Sequence, residues 1–91
     1  MNIQTRLKHS PNATFQINAD EAILIHLKTG VYYSLNQVGT SFWNLLDGTR
    51  TLADCANELA KEYNAPAEMI LSDLQEIAND LVREGLVEVV A

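Results

Sequence analysis

Apolar and polar residues alternate along the first third of the chain, and this period of two predicts β-strands. Three strands are predicted, at residues 13–18, 21–28 and 31–35. The turn-forming run Asn18-Ala19-Asp20 separates the first two, and Thr29-Gly30 makes a tight hairpin before the third. Because such short turns join consecutive strands, the sequence predicts an antiparallel meander.

The second predicted strand carries apolar residues on both of its faces. Ile23, Ile25 and Leu27 lie on one face. Ala22 and Leu24 lie on the other, because successive side chains of a strand point to opposite sides. The face that carries Ala22 and Leu24 is therefore not expected to be wholly solvated.

Beyond residue 35 the apolar spacing changes to the period of helices. Asn36 is a favourable N-cap for a first helix, which Asp47-Gly48 ends. Thr51 caps a second helix and forms a variant of the capping box with Asp54, three residues later. Asn64 is suited to the left-handed conformation that ends this second helix.

A third helix is predicted from residue 66 to residue 84, and its pattern is the most informative in the chain. With a turn of about 100° per residue, its apolar side chains fall within an arc of about 140°. They are Ala67, Ile70, Leu71, Leu74, Ile77, Ala78, Leu81 and Val82. Residues 86–90 are suited to a short final strand. Three antiparallel strands followed by three helices define an α+β fold that resembles a winged helix-turn-helix.

Length and composition fit a single domain. The chain has 91 residues, of which 47% are hydrophobic, enough for one modest core. Residues 1–12 are expected to be flexible, and residues 13–91 to form the domain. The single cysteine excludes an internal disulfide, and no apolar run is long enough to span a membrane. These features predict a soluble cytoplasmic protein with no membrane partner.

Charge is distributed unevenly along the chain and argues against nucleic acid as a partner. The net charge is -6, made up of +1 in residues 1–35 and -7 in residues 36–91. An acidic helical half repels phosphate groups, so a cationic peptide is a better expected partner than DNA. A winged-helix regulatory protein that binds DNA or another protein remains the alternative hypothesis.

The sequence contains no convergent set of catalytic or metal-ligating residues. His9 lies in the expected flexible start, and His26 stands within a strand with no partner at a diagnostic spacing. Cys55 shares a helix face with apolar residues, which indicates a buried and inert thiol. The prediction is a protein that is not an enzyme, with no metal and no cofactor.

The third predicted strand is a candidate for binding another chain. Its five residues include no lysine, proline or evident bulge, the features by which proteins usually protect an exposed strand edge. A guest peptide could therefore pair with its backbone. The competing interpretation is that a helix, the final strand or a second subunit covers this edge. Residues 14–18 form a second uncharged edge, so the pattern does not select one side.

A set of short motifs resembles the coenzyme PQQ synthesis protein D (PqqD) family. The first group is Gly30-Val31-Tyr32-Tyr33-Ser34-Leu35-Asn36, Gly39 and Phe42-Trp43-Asn44-Leu45-Leu46-Asp47-Gly48. The second group is Leu59, Tyr63, Asp73-Leu74, Leu81 and Gly85-Leu86-Val87. Together the two groups extend over nearly the whole chain, from about residue 13 to residue 90.

The resemblance implies a non-catalytic protein that recognises the leader segment of a ribosomally synthesised precursor peptide. It implies that the leader adds as a strand to the third strand, in a groove closed by the third helix. The expected peptide-binding residues are Val31, Tyr32, Tyr33, Ser34, Leu35, Ile70, Asp73, Leu74 and Ile77. Asp73 would meet a basic leader residue. The helix edge formed by Ala67, Leu71 and Ala78 is the alternative groove wall.

The resemblance also implies two partners, the precursor peptide and a maturation enzyme such as a leader peptidase or a radical enzyme. Pathways that use such proteins make lasso peptides, quinone cofactors and related natural products. The oligomeric state is open between a monomer and a homodimer, because the same strand edge could pair between two copies.

Overall fold

The computed structural model describes residues 1–90 and contains two small antiparallel sheets and three helices. The elements in chain order are β1 (Arg6–His9), β2 (Ala13–Asn18), β3 (Glu21–His26), β4 (Tyr32–Leu35), α1 (Gln37–Leu45), β5 (Asp47–Thr51), α2 (Leu52–Tyr63), α3 (Ala67–Arg83) and β6 (Val87–Val89). The predicted α+β class, with a three-stranded antiparallel sheet and three helices, is confirmed.

The main sheet is the predicted meander, with strand order β2-β3-β4. Leu24 of β3 lies opposite Phe15 of β2 and Tyr33 of β4, which fixes the register of the whole sheet. Ala19 and Gly30 have positive φ angles of 59° and 76° in the two turns. The sheet has β3 in the centre and β2 and β4 as its two edges.

The second sheet, of order β5-β1-β6, differs most from the sequence prediction. The N-terminal stretch expected to be flexible contains β1, whose Leu7 is fully buried. The final strand predicted near the C-terminus does form, as β6, but it pairs with β1 and not with the meander. Its register places Leu7 opposite Val89 and His9 opposite Val87. Long-range pairing therefore orders a segment that has only one buried apolar residue in its strand.

The predicted helix caps are present. The Oδ1 atom of Asn36 accepts a hydrogen bond of 2.9 Å from the backbone N–H of Gly39. Asn64 ends α2 in the left-handed conformation, as predicted. The first helix ends at Leu45, earlier than the predicted stop, because the next residues form β5 and pair with β1.

Replacing Thr51 with alanine should destabilise the domain by about 1 kcal/mol. The Thr51 Oγ1 atom accepts from the Asp54 N–H at 3.0 Å, and the Asp54 carboxylate accepts from the Thr51 N–H at 3.0 Å. These bonds satisfy two backbone donors that would otherwise lack partners at the start of α2. Urea unfolding followed by circular dichroism would measure the loss. Thr49→Ala, which changes a threonine outside this box, is the matched control; equal losses in both variants would contradict the assignment.

The core lies between the main sheet and the helices, and it uses only one face of β3. Ala22 and Leu24 are buried against the helices. Ile23 and Leu27, on the other side, are 46% and 64% exposed. Ile23 and Leu27 therefore point away from the core, and they give the outer face of the main sheet an exposed apolar patch.

Candidate functional site

Strand β4 presents one open edge in the part of the chain that the structure describes. It pairs with β3, and no other strand within residues 1–90 pairs with it. Tyr33 and Leu35 turn toward the helices, where Leu35 is buried and Tyr33 packs against the core. Tyr32 is 71% exposed, and Ser34 is exposed as well.

The hydrogen-bond pattern determines which backbone groups of β4 face the open edge. The N–H of His26 donates to the carbonyl oxygen of Val31 at 2.9 Å, so these opposed residues form a hydrogen-bonded pair. Because such pairs alternate along an antiparallel ladder, Tyr33 and Leu35 direct their backbone groups to β3. Tyr32 and Ser34 direct their N–H and C=O groups outward, where a further strand could pair.

Helix α3 forms a wall beside the inner face of this edge. Ile77 lines a depression of about 230 Å³ together with Tyr33, Ser34, Leu35 and Asn36. A neighbouring depression of about 280 Å³ extends past the end of β4 and is lined by Asn36, Val38, Asp73, Glu76 and Ile77. The two depressions share Asn36 and Ile77. They make a shallow groove that has Ile77 at its centre and the carboxylates of Asp73 and Glu76 at one end.

The other end of the groove is held by a hydrogen bond between β4 and α3. The phenolic O–H of Tyr33 donates to Oδ2 of Asp80 at 2.8 Å. The guanidinium of Arg83 donates to Oδ1 of the same carboxylate at 2.7 Å. The bonds from Tyr33 and Arg83 lower the pKa of Asp80. Burial, followed by the bond to Asp80, raises the pKa of Tyr33 from 10.0 to about 12.

Tyr33 should therefore contribute a pH-dependent part of the stability. Since its pKa is higher in the folded state, this contribution is present below about pH 10 and is lost as the pH rises toward about 12. In Tyr33→Phe, unfolding free energy should fall less steeply across that range than in the wild type. Chemical denaturation at stepped alkaline pH would measure both slopes, and parallel slopes would contradict the assignment.

The structure separates the predicted site residues on α3 into two groups. Asp73 and Ile77 line the groove beside β4. Ile70 and Leu74 are buried in the core, where they support the wall from behind. On the alternative helix edge, Ala78 is fully buried. The geometry therefore brings the edge with Asp73 and Ile77, and not the alternative edge, to the open strand.

Four further residues of the groove were not among the sequence-predicted site residues. They are Asn36, Val38, Glu76 and Asp80. The spacing of Asp73, Glu76 and Asp80 places all three carboxylates on one side of a helix, a signal that the sequence does contain. Only the fold shows that this side faces β4. Asp73 and Glu76 form no ion pair with another residue of the described range 1–90.

The other residues considered for chemistry have structural roles. The His26 Nδ1 atom accepts hydrogen bonds from the backbone N–H groups of Lys28 and Thr29 at 3.1 and 3.2 Å. Burial raises the pKa of the Cys55 thiol to about 11, which keeps it protonated at neutral pH. The His9 ring stacks on Trp43 at a centroid distance of 3.7 Å.

Residues 1–90 contain neither a cluster of metal-ligating side chains nor a helix suited to a membrane. No group of three or more histidine, cysteine, aspartate or glutamate side chains there is placed to hold a metal ion. None of the helices in the same range has both the length and the apolar content needed to cross a lipid bilayer.

Comparison with solved structures defines the class of fold. The chain superposes on a structure described as TbiB1 in complex with the TbiA(beta) leader peptide with a TM-score of 0.81 and 28% identity, covering 92% of this chain and 98% of the other. It also superposes on the heterocyclase TruD (TM-score 0.63, 21% identity) and on a heterocyclase in complex with substrate and cofactor (0.61, 19%). These matches cover 96% of this chain but only 12% and 11% of the two heterocyclase chains.

The family follows from the sequence model that matches. The model for coenzyme PQQ synthesis protein D (PqqD) matches residues 21–87, so this chain belongs to the PqqD family. The resemblance predicted from the motifs is thereby confirmed. No curated protein sequence matches the chain.

Proposed function

We propose that this protein is a non-catalytic recognition element that binds the leader segment of a ribosomally synthesised precursor peptide. The observation that carries the proposal is the open edge of β4 beside the α3 groove, in a fold that matches the leader-bound TbiB1 structure. The leader adds to β4 as a fourth strand and pairs with the outward backbone groups of Tyr32 and Ser34. Backbone pairing of this kind gives affinity, and alternate side chains in pockets give selectivity.

The residues that line the groove determine which types of leader side chain can point into it. An apolar side chain enters the depression between Leu35 and Ile77 and contributes about 1.5–3 kcal/mol if it is fully buried. A lysine or arginine of the leader lies at the acidic end beside Asp73 and Glu76. The net charge of -6 favours the approach of such a cationic segment.

The bound leader brings the precursor to a maturation enzyme, such as a leader peptidase or a radical enzyme. The two heterocyclase chains contain this fold as a small part of a much larger chain, which supports a role beside a catalytic partner. Holding the leader raises the local concentration of the precursor core at that partner. A lasso-peptide or quinone-cofactor pathway in the cytoplasm fits this role.

Titration of the isotopically labelled protein with a synthetic leader peptide, followed by amide NMR shifts, tests the proposal. The leader is taken from a precursor gene adjacent to the gene for this protein, and a scrambled peptide of equal composition is the control. Shifts should concentrate at residues 32–35 and around Asp73 and Ile77. Saturable binding with shifts confined to other surfaces would contradict the site, and no binding would contradict the function.

The acidic end of the groove should contribute modestly and in a salt-dependent way. Replacing Asp73 with asparagine and Glu76 with glutamine should weaken a leader that carries a basic residue there by roughly threefold to tenfold at low salt, since exposed ion pairs are worth about 0.2–1 kcal/mol each. The difference should shrink as salt is added. Glu62→Gln, which removes an exposed carboxylate from α2, is the matched control. Equal effects at both places would indicate a general charge effect.

A further inference from the structure

The outer face of the main sheet carries an exposed apolar patch on which no helix within residues 1–90 packs. A depression of about 430 Å³ on this face is lined by Thr14, Gln16, Ile23, Ile25 and Tyr32 and is bordered by Phe15, whose ring lies on the core face beside Trp43. None of these residues is charged, in a chain where 20% of residues are. Ile23 and Tyr32 are the exposed apolar residues nearest to the open edge.

The register of β4 places half of any added strand on this outer face. Side chains of directly neighbouring residues in a sheet point to the same side. Guest residues beside Tyr33 and Leu35 therefore point into the α3 groove. Guest residues beside Tyr32 and Ser34 point outward, and this holds for a parallel as well as an antiparallel guest.

Ser34 leaves room for a large outward side chain of the guest. Ile23 lies opposite Ser34, so the guest position beside Ser34 is two strand spacings, about 10 Å, from Ile23. A serine between them is too small to fill that space. Tyr32 stands two residues along the same face and borders the space, within the diagonal reach of an aromatic ring.

Resting on the proposed function, we infer that the leader site has a second subsite, formed on the outer face by Ile23, Tyr32 and Ser34. It takes an aromatic or large aliphatic leader side chain, which lies across Ser34 onto Ile23 and beside Tyr32. The leader is then read on both faces of the strand. Its recognised segment carries apolar residues at adjacent positions, one for the α3 groove and one for the outer subsite, instead of a strict apolar–polar alternation.

A random peptide display library selected against two forms of the full chain tests this inference without a known leader. One form is the wild type, and the other is the double variant Ile23→Thr, Tyr32→Thr. Both changes keep strand-favouring residues at exposed positions. Leu27→Thr, an exposed apolar residue beyond the end of β3, is the matched control.

Selection against the wild type should enrich peptides with apolar residues both at the positions that point into the α3 groove and at the alternate positions that point outward. Selection against the double variant should lose the apolar preference only at the outward positions. A peptide selected against the wild type should bind the double variant about tenfold more weakly. Leu27→Thr should change neither result. Identical preferences and affinities for wild type and double variant would overturn the second subsite.

Three other results would also overturn the inference, and each identifies a different use of the surface. Enriched peptides that leave the amides of residues 32–35 unshifted would refute the proposed function itself. A dimer that the double variant abolishes and peptide does not affect would assign the outer face to a second copy. If the double variant bound peptides normally but no longer bound a maturation enzyme, the outer face would be assigned to that enzyme.

Discussion

Replacing Ser34 with proline should weaken leader binding by roughly a hundredfold while the domain stays folded. The Ser34 N–H points to the open edge, so its removal takes no hydrogen bond from the β3–β4 ladder. Proline is tolerated in edge strands at such outward positions. A guest strand, however, loses a hydrogen-bond donor and meets the proline ring at the centre of its pairing register.

The matched control is proline on the other edge of the same sheet. The Leu27 N–H donates to the Asn12 carbonyl oxygen, and hydrogen-bonded pairs of residues then alternate along β2 and β3. The backbone groups of Ile17 in β2 therefore point away from β3. Ile17→Pro blocks that edge and should alter leader affinity by less than about threefold. Isothermal titration calorimetry would measure both affinities, and circular dichroism would verify folding.

This pair of variants also decides between the two strand edges that the sequence leaves open. If Ile17→Pro abolished binding and Ser34→Pro did not, the leader would pair with β2, away from the α3 groove. If both variants bound normally, recognition would not use strand addition at either edge.

Replacing Trp43 with alanine should destabilise the protein by about 3–5 kcal/mol. Trp43 is fully buried and links three parts of the chain. The His9 ring stacks on it, and His9 Nε2 is 2.8 Å from the Trp43 carbonyl oxygen. The Phe15 ring meets it edge-on at 5.5 Å. The loss is a large part of the 5–15 kcal/mol that stabilises a typical domain.

A milder replacement separates the aromatic packing from the indole N–H. Within residues 1–90 the Trp43 Nε1 atom has no hydrogen-bond partner. Trp43→Phe therefore retains an aromatic ring and removes a buried donor that lacks an acceptor, so it should cost much less than alanine. Because Trp43 is the only tryptophan, unfolding is best followed by circular dichroism. Losses below about 1 kcal/mol in Trp43→Ala would contradict the anchoring role of this ring.

Local signals in the sequence predicted the meander, the helices and most of their caps. Asn36, Thr51 and Asn64 act through neighbours at most four residues away, so their effect can be judged without knowing the fold. The sequence also showed that β4 lacks the usual edge protection, since its residues include no lysine or proline, but it left open whether another element covers that edge. The burial of Cys55 was predicted from its helix face and is found in the structure.

The tertiary structure alone decided the features that depend on distant partners. Strand β1 pairs with segments about 40 and 80 residues away, and strands of three to five residues carry too weak a period to be recognised individually. The choice of Ala22 and Leu24 as the core face of β3 depended on the placement of the helices.

By itself, the sequence determined the strands of the meander, the three helices, their caps and the absence of edge protection in β4, because these depend on period and on nearest neighbours along the chain. Only the tertiary structure assigned Asp73 and Ile77 to the groove and Ile70 and Leu74 to the core. It also directed Ile23 and Tyr32 to the exposed face. An apolar stripe shows which residues avoid water, but which of them remain free for a ligand is decided by the elements that pack beside them.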